Sequence, residues 1–131
     1  IRQNPRVVAI NSAIEIDLFG QCNAEMLGGR QISGAGGFHD FQRGAWGSQG
    51  GRSIVALPAT AGGASRIVAK LSSPGIATGP RNDADYIVTE YGIAALRDLD
   101  LDARAEALMM VAAPDYRDEL ARAWREMRAT F

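Results

Sequence analysis

The sequence is poor in several of the residues that most often announce a function. It has one cysteine in 131 residues, which excludes an internal disulfide framework and fits a reducing compartment. Its one histidine, His39, has no second histidine or cysteine at ligand spacing, so nothing reads as a metal site. Charge of one sign is also missing: the formal net charge of −1 argues against a nucleic-acid binder that works through bulk attraction to phosphates. No apolar run approaches the roughly 18–20 residues of a membrane span, and no basic start leads into an apolar stretch as a secretory signal would. Together these absences describe a cytoplasmic chain with no membrane or nucleic-acid partner and no tightly bound cofactor. The length fits one domain, residues 1–131, able to bury a core. The first residue is Ile1 rather than Met, which suggests a piece of a longer protein.

Glycine is what the sequence has in quantity, and its densest run organises the rest. Ser33-Gly34-Ala35-Gly36-Gly37-Phe38-His39-Asp40-Phe41 sets three glycines in four positions ahead of a short helical stretch over 38–46. Glycine loses more conformational entropy on folding than other residues, so such density calls for positive φ angles or for backbone that lies against something with no Cβ between. At a helix start the run would offer bare N–H groups and a partial positive charge to an anion or a developing oxyanion. A tight loop that only reverses the chain would use the same residues, and spacing alone leaves both readings open.

Along the chain, residues 6–11 are rich in β-branched residues and read as a buried strand. Residues 12–18 alternate, with Ile14, Ile16 and Leu18 on one face and Ala13, Glu15 and Asp17 on the other. Glu15 and Asp17 can be read as a carboxylate pair, but such residues are more often the solvated face of a strand. A turn at 19–21 leads to a short returning segment at 22–25, where Cys22 has apolar neighbours and reads as packing rather than reactive. Residues 26–37 are punctuated by Gly28-Gly29 and the glycine run and read as largely loop. Residues 47–51 and 59–65 are further loops around a strand at 53–57 that Pro58 ends. Residues 66–71 are the next strand; 72–85 are mostly loop, with a short strand at 76–78. His39 beside Asp40 reads first as a local hydrogen-bonding residue rather than a catalytic base.

Residues 86–89 form a strand with Glu90 at its C-terminal end, and Tyr91-Gly92 turn into one helical turn over 93–96. A residue there occupies the usual ligand-facing edge of an open α/β sheet, which makes Glu90 the preferred carboxylate; a capping or salt-bridged acid is the competing reading. Leu108, Met109 and Ala112 carry helical periodicity through 101–113, which Pro114 closes. Asp115 N-caps an amphipathic helix over 115–128 that buries Leu120, Ala123, Trp124 and Met127. Strands and glycine loops followed by two helices mean an α/β or α+β layered sheet.

Several blocks in this order carry a resemblance. They are residues 10–21 (INSAIEIDLFGQ), 33–37 (SGAGG), 40–45 (DFQRGA), 54–58 (IVALP), 65–68 (SRIV), 81–92 (RNDADYIVTEYG) and 112–117 (AAPDYR). Jointly they resemble the C-terminal domain of the acetyl-CoA hydrolase / 4-hydroxybutyrate CoA-transferase family over residues 4–119. The resemblance implies the open layered α/β sheet of the CoA-transferase superfamily, flanked by helices and ending in a helical pair. It also implies an enzyme acting on acyl-CoA thioesters and small carboxylic acids, with coenzyme A as substrate and product. In that chemistry a glutamate attacks the thioester to give an acyl-glutamyl anhydride. CoA thiolate then attacks the anhydride and leaves a glutamyl-CoA thioester, which a second carboxylate accepts.

Each step passes through an oxyanion, and the resemblance puts its backbone donor at the N–H of Gly37. It puts an auxiliary active-site glutamate on Glu90 and a substrate-binding set on Gly34, Gly36, Gly37, Gln49, Gly50, Arg66 and Tyr91. The nucleophilic glutamate falls upstream of Ile1, in an N-terminal domain of the same polypeptide, so this chain should carry half an active site. Packing of the two halves implies exposed apolar surface on this one and a homo-oligomer. Two departures stand out. Ser48-Gln49-Gly50-Gly51 lacks the lysine relatives often carry there, which weakens a contact to the CoA phosphates. Phe38-His39 sets bulk where smaller or polar residues are common, which would narrow the acyl pocket. Two other readings remain for these residues: a non-catalytic CoA- or nucleotide-binding module, and a small independent enzyme with Glu90 as nucleophile.

Overall fold

The computed structural model describes residues 1–72 and 74–131. Strand β1 (Val8–Asn11) leads to β2 (Glu15–Asp17) and β3 (Cys22–Asn23), then to a small hairpin of β4 (Met26–Leu27) and β5 (Arg30–Gln31). Helix α1 (Phe38–Trp46) follows, then β6 (Arg52–Ala56) and three two-residue strands, β7 (Thr60–Ala61), β8 (Ala64–Ser65) and β9 (Ile67–Val68). After a 3₁₀ turn at Arg81–Asp83 come β10 (Tyr86–Thr89), β11 (Gly92–Ala95), α2 (Leu101–Val111) and α3 (Pro114–Arg128).

The main sheet has the order β1-β6-β10-β11, its first three strands parallel and β11 antiparallel. A smaller sheet orders β3-β2-β9. Because strand side chains alternate between faces, the register decides which residues become core. Ala9, Ser53, Val55, Ile87 and Ala94 share the buried face. Val55, Ile87 and Ala94 meet Phe38 of α1, Leu108 and Val111 of α2, Ile16 and Ile67 from the smaller sheet, and Leu18 just after β2 in one apolar cluster. Helix α3 adds Leu120, Trp124 and Met127 to the same cluster and is pinned to α2 by Asp102, whose carboxylate accepts from Trp124 Nε1 (2.9 Å) and from the Arg128 guanidinium (2.9 and 3.0 Å).

One ion pair locks the edge where the parallel strands begin. Asp85 is buried just before β10 and takes the Arg97 fork on both oxygens (3.1 and 3.0 Å) while accepting the Ser53 N–H of β6 at 3.1 Å. Arg97 also stacks on the Trp46 ring at the end of α1, 4.5 Å from its centroid. A single carboxylate therefore holds β6, the start of β10, the segment after β11 and, through Arg97, α1.

The layered α/β architecture with a C-terminal helical pair is the one read from the sequence, and α1 has the bounds read there. Several local readings need correction: residues 59–65, read as a loop, hold the β7–β8 hairpin, and the strand read at 66–71 is Ile67–Val68. Residues 92–95 are a strand, not a helical turn: Glu90-Tyr91 make a two-residue turn and β11 folds back on β10. Residues 26–31 pair into a hairpin whose Gly28 and Gly29 both take positive φ (56° and 77°), the geometry a two-residue turn between twisted strands requires. The N-cap of α3 is Ala113, with Pro114 in the first turn beside Asp115. No strand spans 76–78; Gly79 forms a single bridge to Cys22. The loop reading of 72–85 applies to its described residues, and Ser73 lies outside them.

Glu15 and Asp17 are neither a solvated face nor a reactive pair. Both are buried. Glu15 accepts from Asn23 Nδ2 (2.9 Å) and from the Ser72 N–H and hydroxyl (2.9 and 2.7 Å). Asp17 accepts from the N–H groups of Phe19 and Gln21 and from Gln21 Nε2. They brace loops, a tertiary role that alternation along one strand does not reveal.

Two expectations follow. Replacing Asp85 with alanine leaves Arg97 and the Ser53 N–H without their acceptor and destabilises the fold by roughly 3 kcal/mol; the urea midpoint should fall with no change in slope. Burial raises the Asp17 carboxyl above its ordinary value of 3.8 even against its hydrogen bonds. The folded state then binds the Asp17 proton more readily than the unfolded state, so this group's contribution to stability falls as pH rises above 3.8. An Asp17→Asn variant should flatten that part of the stability–pH profile; an unchanged profile would count against the assignment.

Candidate active site

Parallel pairing determines where the candidate residues can stand. β1, β6 and β10 run the same way, so their C-terminal ends, at Asn11, Ala56 and Thr89, share one edge of the sheet. Helix α1 links β1 to its parallel neighbour β6 and must run back against them, which brings its first residues to that same edge.

Gly37 is the N-cap of α1, and no side chain caps the helix start. Its N–H donates to no group among the described residues. The glycines here serve different ends. Gly36 takes φ +53°, a left-handed conformation that L side chains resist, yet a Cβ there would meet no atom within 4 Å. Gly37 has an ordinary backbone (φ −91°, ψ 8°), but a Cβ on it would come within 3.0 Å of the Phe41 ring. Backbone geometry thus favours glycine at Gly36, whereas at Gly37 the neighbouring Phe41 ring is what a side chain would crowd. Gly34 is exposed with nothing within 4 Å of a would-be Cβ.

Glu90 stands at the tip of the β10–β11 hairpin, at the same edge. Its Oε2 accepts the Ala59 N–H at 2.8 Å; its other oxygen has no partner among the described residues. Ala59 is fully buried just after β6, and its carbonyl accepts the Arg66 N–H at 2.8 Å. The Arg66 guanidinium turns back on the Ala61 carbonyl at 3.4 Å. Thr89 donates its hydroxyl to the Val111 carbonyl (2.6 Å) and accepts the Tyr91 N–H (3.1 Å), tying the hairpin tip to the end of α2. Tyr91 is half exposed, with the Arg117 guanidinium 5.9 Å from its ring centroid.

The structure therefore gathers Glu90, Tyr91, Arg66 and Ala59, and sets Gly36 and Gly37 at the same edge. Gln49 and Gly50 lie elsewhere. The Gln49 carbonyl accepts the Arg6 N–H at 2.8 Å and Ser48 Oγ accepts the Val7 N–H, which places that loop where β1 begins, at the opposite edge. Ala59 escaped sequence reasoning because a backbone donor has no side-chain signature; its sole trace is a position just past the end of a strand. His39 turns away from the glycine run, its Nε2 3.1 Å from Asp83 Oδ2, with Arg43 3.9 Å from the same oxygen. Burial, with Asp17 nearby, pushes the Cys22 thiol up to about 12, so it stays protonated and unreactive, as its apolar neighbours suggested. Among the described residues no group of three or more histidine, cysteine, aspartate or glutamate side chains is placed to hold a metal, and no helix is long and apolar enough to cross a membrane.

An exposed helix-start amide and a carboxylate held by one oxygen, both at the C-terminal edge of a parallel sheet, define an α/β domain suited to an acyl or anionic ligand. More specifically, the chain belongs to the acetyl-CoA hydrolase/transferase C-terminal domain family, which it matches over residues 1–124. A 4-hydroxybutyrate coenzyme A transferase from Clostridium kluyveri is 47% identical over 122 residues, 92% of this chain and 28% of that protein. An acetyl-CoA hydrolase from Candida albicans is 34% identical over 122 residues, 87% of this chain and 22% of that protein. The crystal structure of RipA from Yersinia pestis superposes with a TM-score of 0.89 at 47% identity, over 97% of this chain and 29% of RipA. The chain spans about a quarter of the length of these curated relatives.

The two glycines separate in a stability measurement. Gly36→Ala should lose about 1–2 kcal/mol through its left-handed backbone. Gly37→Ala should lose less than about 1 kcal/mol, because its φ is ordinary and the half-exposed Phe41 ring can give way. Denaturant midpoints of both variants decide the order.

Proposed function

We propose that this chain is the C-terminal part of an enzyme that moves CoA between an acyl-CoA thioester and a small carboxylate, or hydrolyses acetyl-CoA, through a glutamyl-CoA intermediate. The observation that carries the reading is the pairing of the unpartnered Gly37 amide with the half-held Glu90 carboxylate at one sheet edge, in a chain whose relatives are named CoA transferases and acetyl-CoA hydrolases. The nucleophilic glutamate comes from the preceding domain of the same polypeptide, and the working enzyme is a homo-oligomer in the cytoplasm. CoA enters and leaves as substrate, with no tightly bound cofactor.

In the first step the nucleophile's carboxylate oxygen bonds to the thioester carbonyl carbon, the C–S bond breaks, and CoA departs as thiolate. That thiolate then attacks the glutamyl carbonyl of the anhydride, releasing the acyl group as a carboxylate and leaving glutamyl-CoA. The incoming acid reverses the sequence. Each addition puts negative charge on a carbonyl oxygen, where a fixed N–H such as that of Gly37 lowers the barrier. Glu90 serves as a positioning group: Ala59 holds one oxygen still, leaving the other to orient the thiol, the acceptor or a partner side chain. Gly34, Gly36, Arg66 and Tyr91 border this space. Gln49 and Gly50, at the far edge, reach only an extended part of the CoA nucleotide.

The test uses the full-length enzyme with acetyl-CoA and excess carboxylate. Gly37→Ala should lower kcat by about 10²–10³ while its melting temperature stays close to that of the parent, because the added methyl keeps the reacting carbonyl from reaching the amide in the transition state. Glu90→Ala should lower kcat/KM by about 10² or more. The 131-residue chain alone should neither turn over acetyl-CoA nor yield a hydroxamate with hydroxylamine. Turnover by that chain, lost in Glu90→Ala, would make Glu90 the nucleophile and overturn the two-domain reading.

A further inference from the structure

The main sheet is finished on one face only. Residues facing away from the core are largely apolar across all four strands, with Arg52, level with Val8, and Tyr86 toward the end where the parallel strands begin. Ile10 is level with Ile54, and Ala56 with Val88, which in turn pairs with Ile93. Ile10, Val8 and Ile93, on the two outer strands, are 69%, 54% and 68% exposed, and Ile54 and Val88 between them are only partly buried. Parallel strands are found with both faces covered, since the crossovers that make them parallel bring helices with them.

The topology explains why one side is bare. β1, β6 and β10 follow one another in a single direction across the sheet, and right-handed crossovers taken in one direction put every connection on the same face. Phe38 of α1, in the first crossover, and Ile67 of β9, in the second, both enter the same cluster, as that rule requires. The second face of a doubly wound sheet is covered by chain that extends the sheet the other way, from β1. β1 is the outer parallel strand and has no second neighbour among the described residues, whereas antiparallel β11 closes the opposite edge.

We infer that the face carrying Val8, Ile10, Ile54, Ala56, Val88 and Ile93 is the docking surface for a helical layer from the preceding part of the same polypeptide, delivered by a crossover whose strand pairs in parallel with β1. A second copy of this chain fits less well. Two-fold pairing of β1 with itself would be antiparallel and would supply no helix. The relatives also have the needed length: about 72% of the Clostridium kluyveri protein lies outside the match (100% less the 28% matched), and a C-terminal family puts most of it ahead of β1. The inference takes from the proposed function only that a preceding part exists. Its test reads stability and labelling rather than turnover, so the two can fail separately.

The experiment uses the full-length protein. Ile10→Arg and Ile93→Arg should each lower its melting temperature by about 5 °C or more by forcing a charge into a covered surface, while Met110→Arg, at a site 62% exposed on α2, should change it by less than about 1 °C. Carbene footprinting of the unaltered protein gives the same answer without a variant: Ile10 and Ile93 protected, Met110 labelled. Labelling of Ile93 equal to that of Met110, or wild-type stability in both arginine variants, overturns the inference. So does protection that disappears when the protein is diluted to a monomer, because a second copy would then be the cover.

Discussion

The parallel register of β6 between β1 and β10 is the constraint on which the candidate site depends. It brings three strand ends to one edge, forces α1 to begin there, and so sets an unpaired amide at Gly37 on the same side as Glu90. Ala59 completes the arrangement: it follows β6, its N–H reaches the Glu90 carboxylate across the edge, and its carbonyl takes Arg66. At the other edge the buried Asp85 carboxylate keeps the register from slipping by holding β6 and the Arg97 fork together. A slip of one residue would exchange the core and open faces, putting Ile54 inside and Val55 outside. The site is therefore a consequence of the strand order rather than of local loop chemistry.

The polar residues of this chain divide by what surrounds them. Asp17 and Asp85 are buried with both carboxylate oxygens hydrogen-bonded, and Glu15 is buried with its Oε1 taking Asn23 and Ser72, so all three brace the fold. Glu90 is exposed and half occupied, which is the condition of a group that can still bind something. The same contrast separates His39, committed to Asp83, from the Gly37 amide, which is committed to nothing among the described residues. An uncommitted but well-supported polar group at a sheet edge is a stronger sign of function than residue type, because folding seldom leaves such groups unpaired unless water or a ligand takes them.

A sheet with one bare face sets the limits of the chain as a unit. The covered face supplies a real core, joining helices and both sheets. The open face carries large apolar side chains in register across four strands, as the sequence resemblance to half of a two-part enzyme implies.

Much of this was legible in the sequence, for physical reasons that differ from element to element. Helix α1 could be bounded because a dense glycine run ends at Gly37 and a second glycine-rich stretch opens at Gly47, and α2 and α3 because their apolar spacing and Pro114 are local signals. Glu90 could be singled out because it ends a β-branched run. What lay beyond reach was everything set by partners distant in the chain. Residues 93–96 read as helical because propensity cannot see β10 alongside, and Glu15 and Asp17 read as solvated because alternation cannot see Ser72 or the Gln21 turn closing over them. Family likeness could assign roles to Gln49 and Glu90 alike; that they stand at opposite edges follows from parallel pairing. The sequence by itself determined the helices, the family and the residues worth testing, since these rest on local spacing and motif. Only the tertiary structure decided which carboxylate is still open and which face of the sheet is left exposed, because each depends on contacts between residues tens of positions apart.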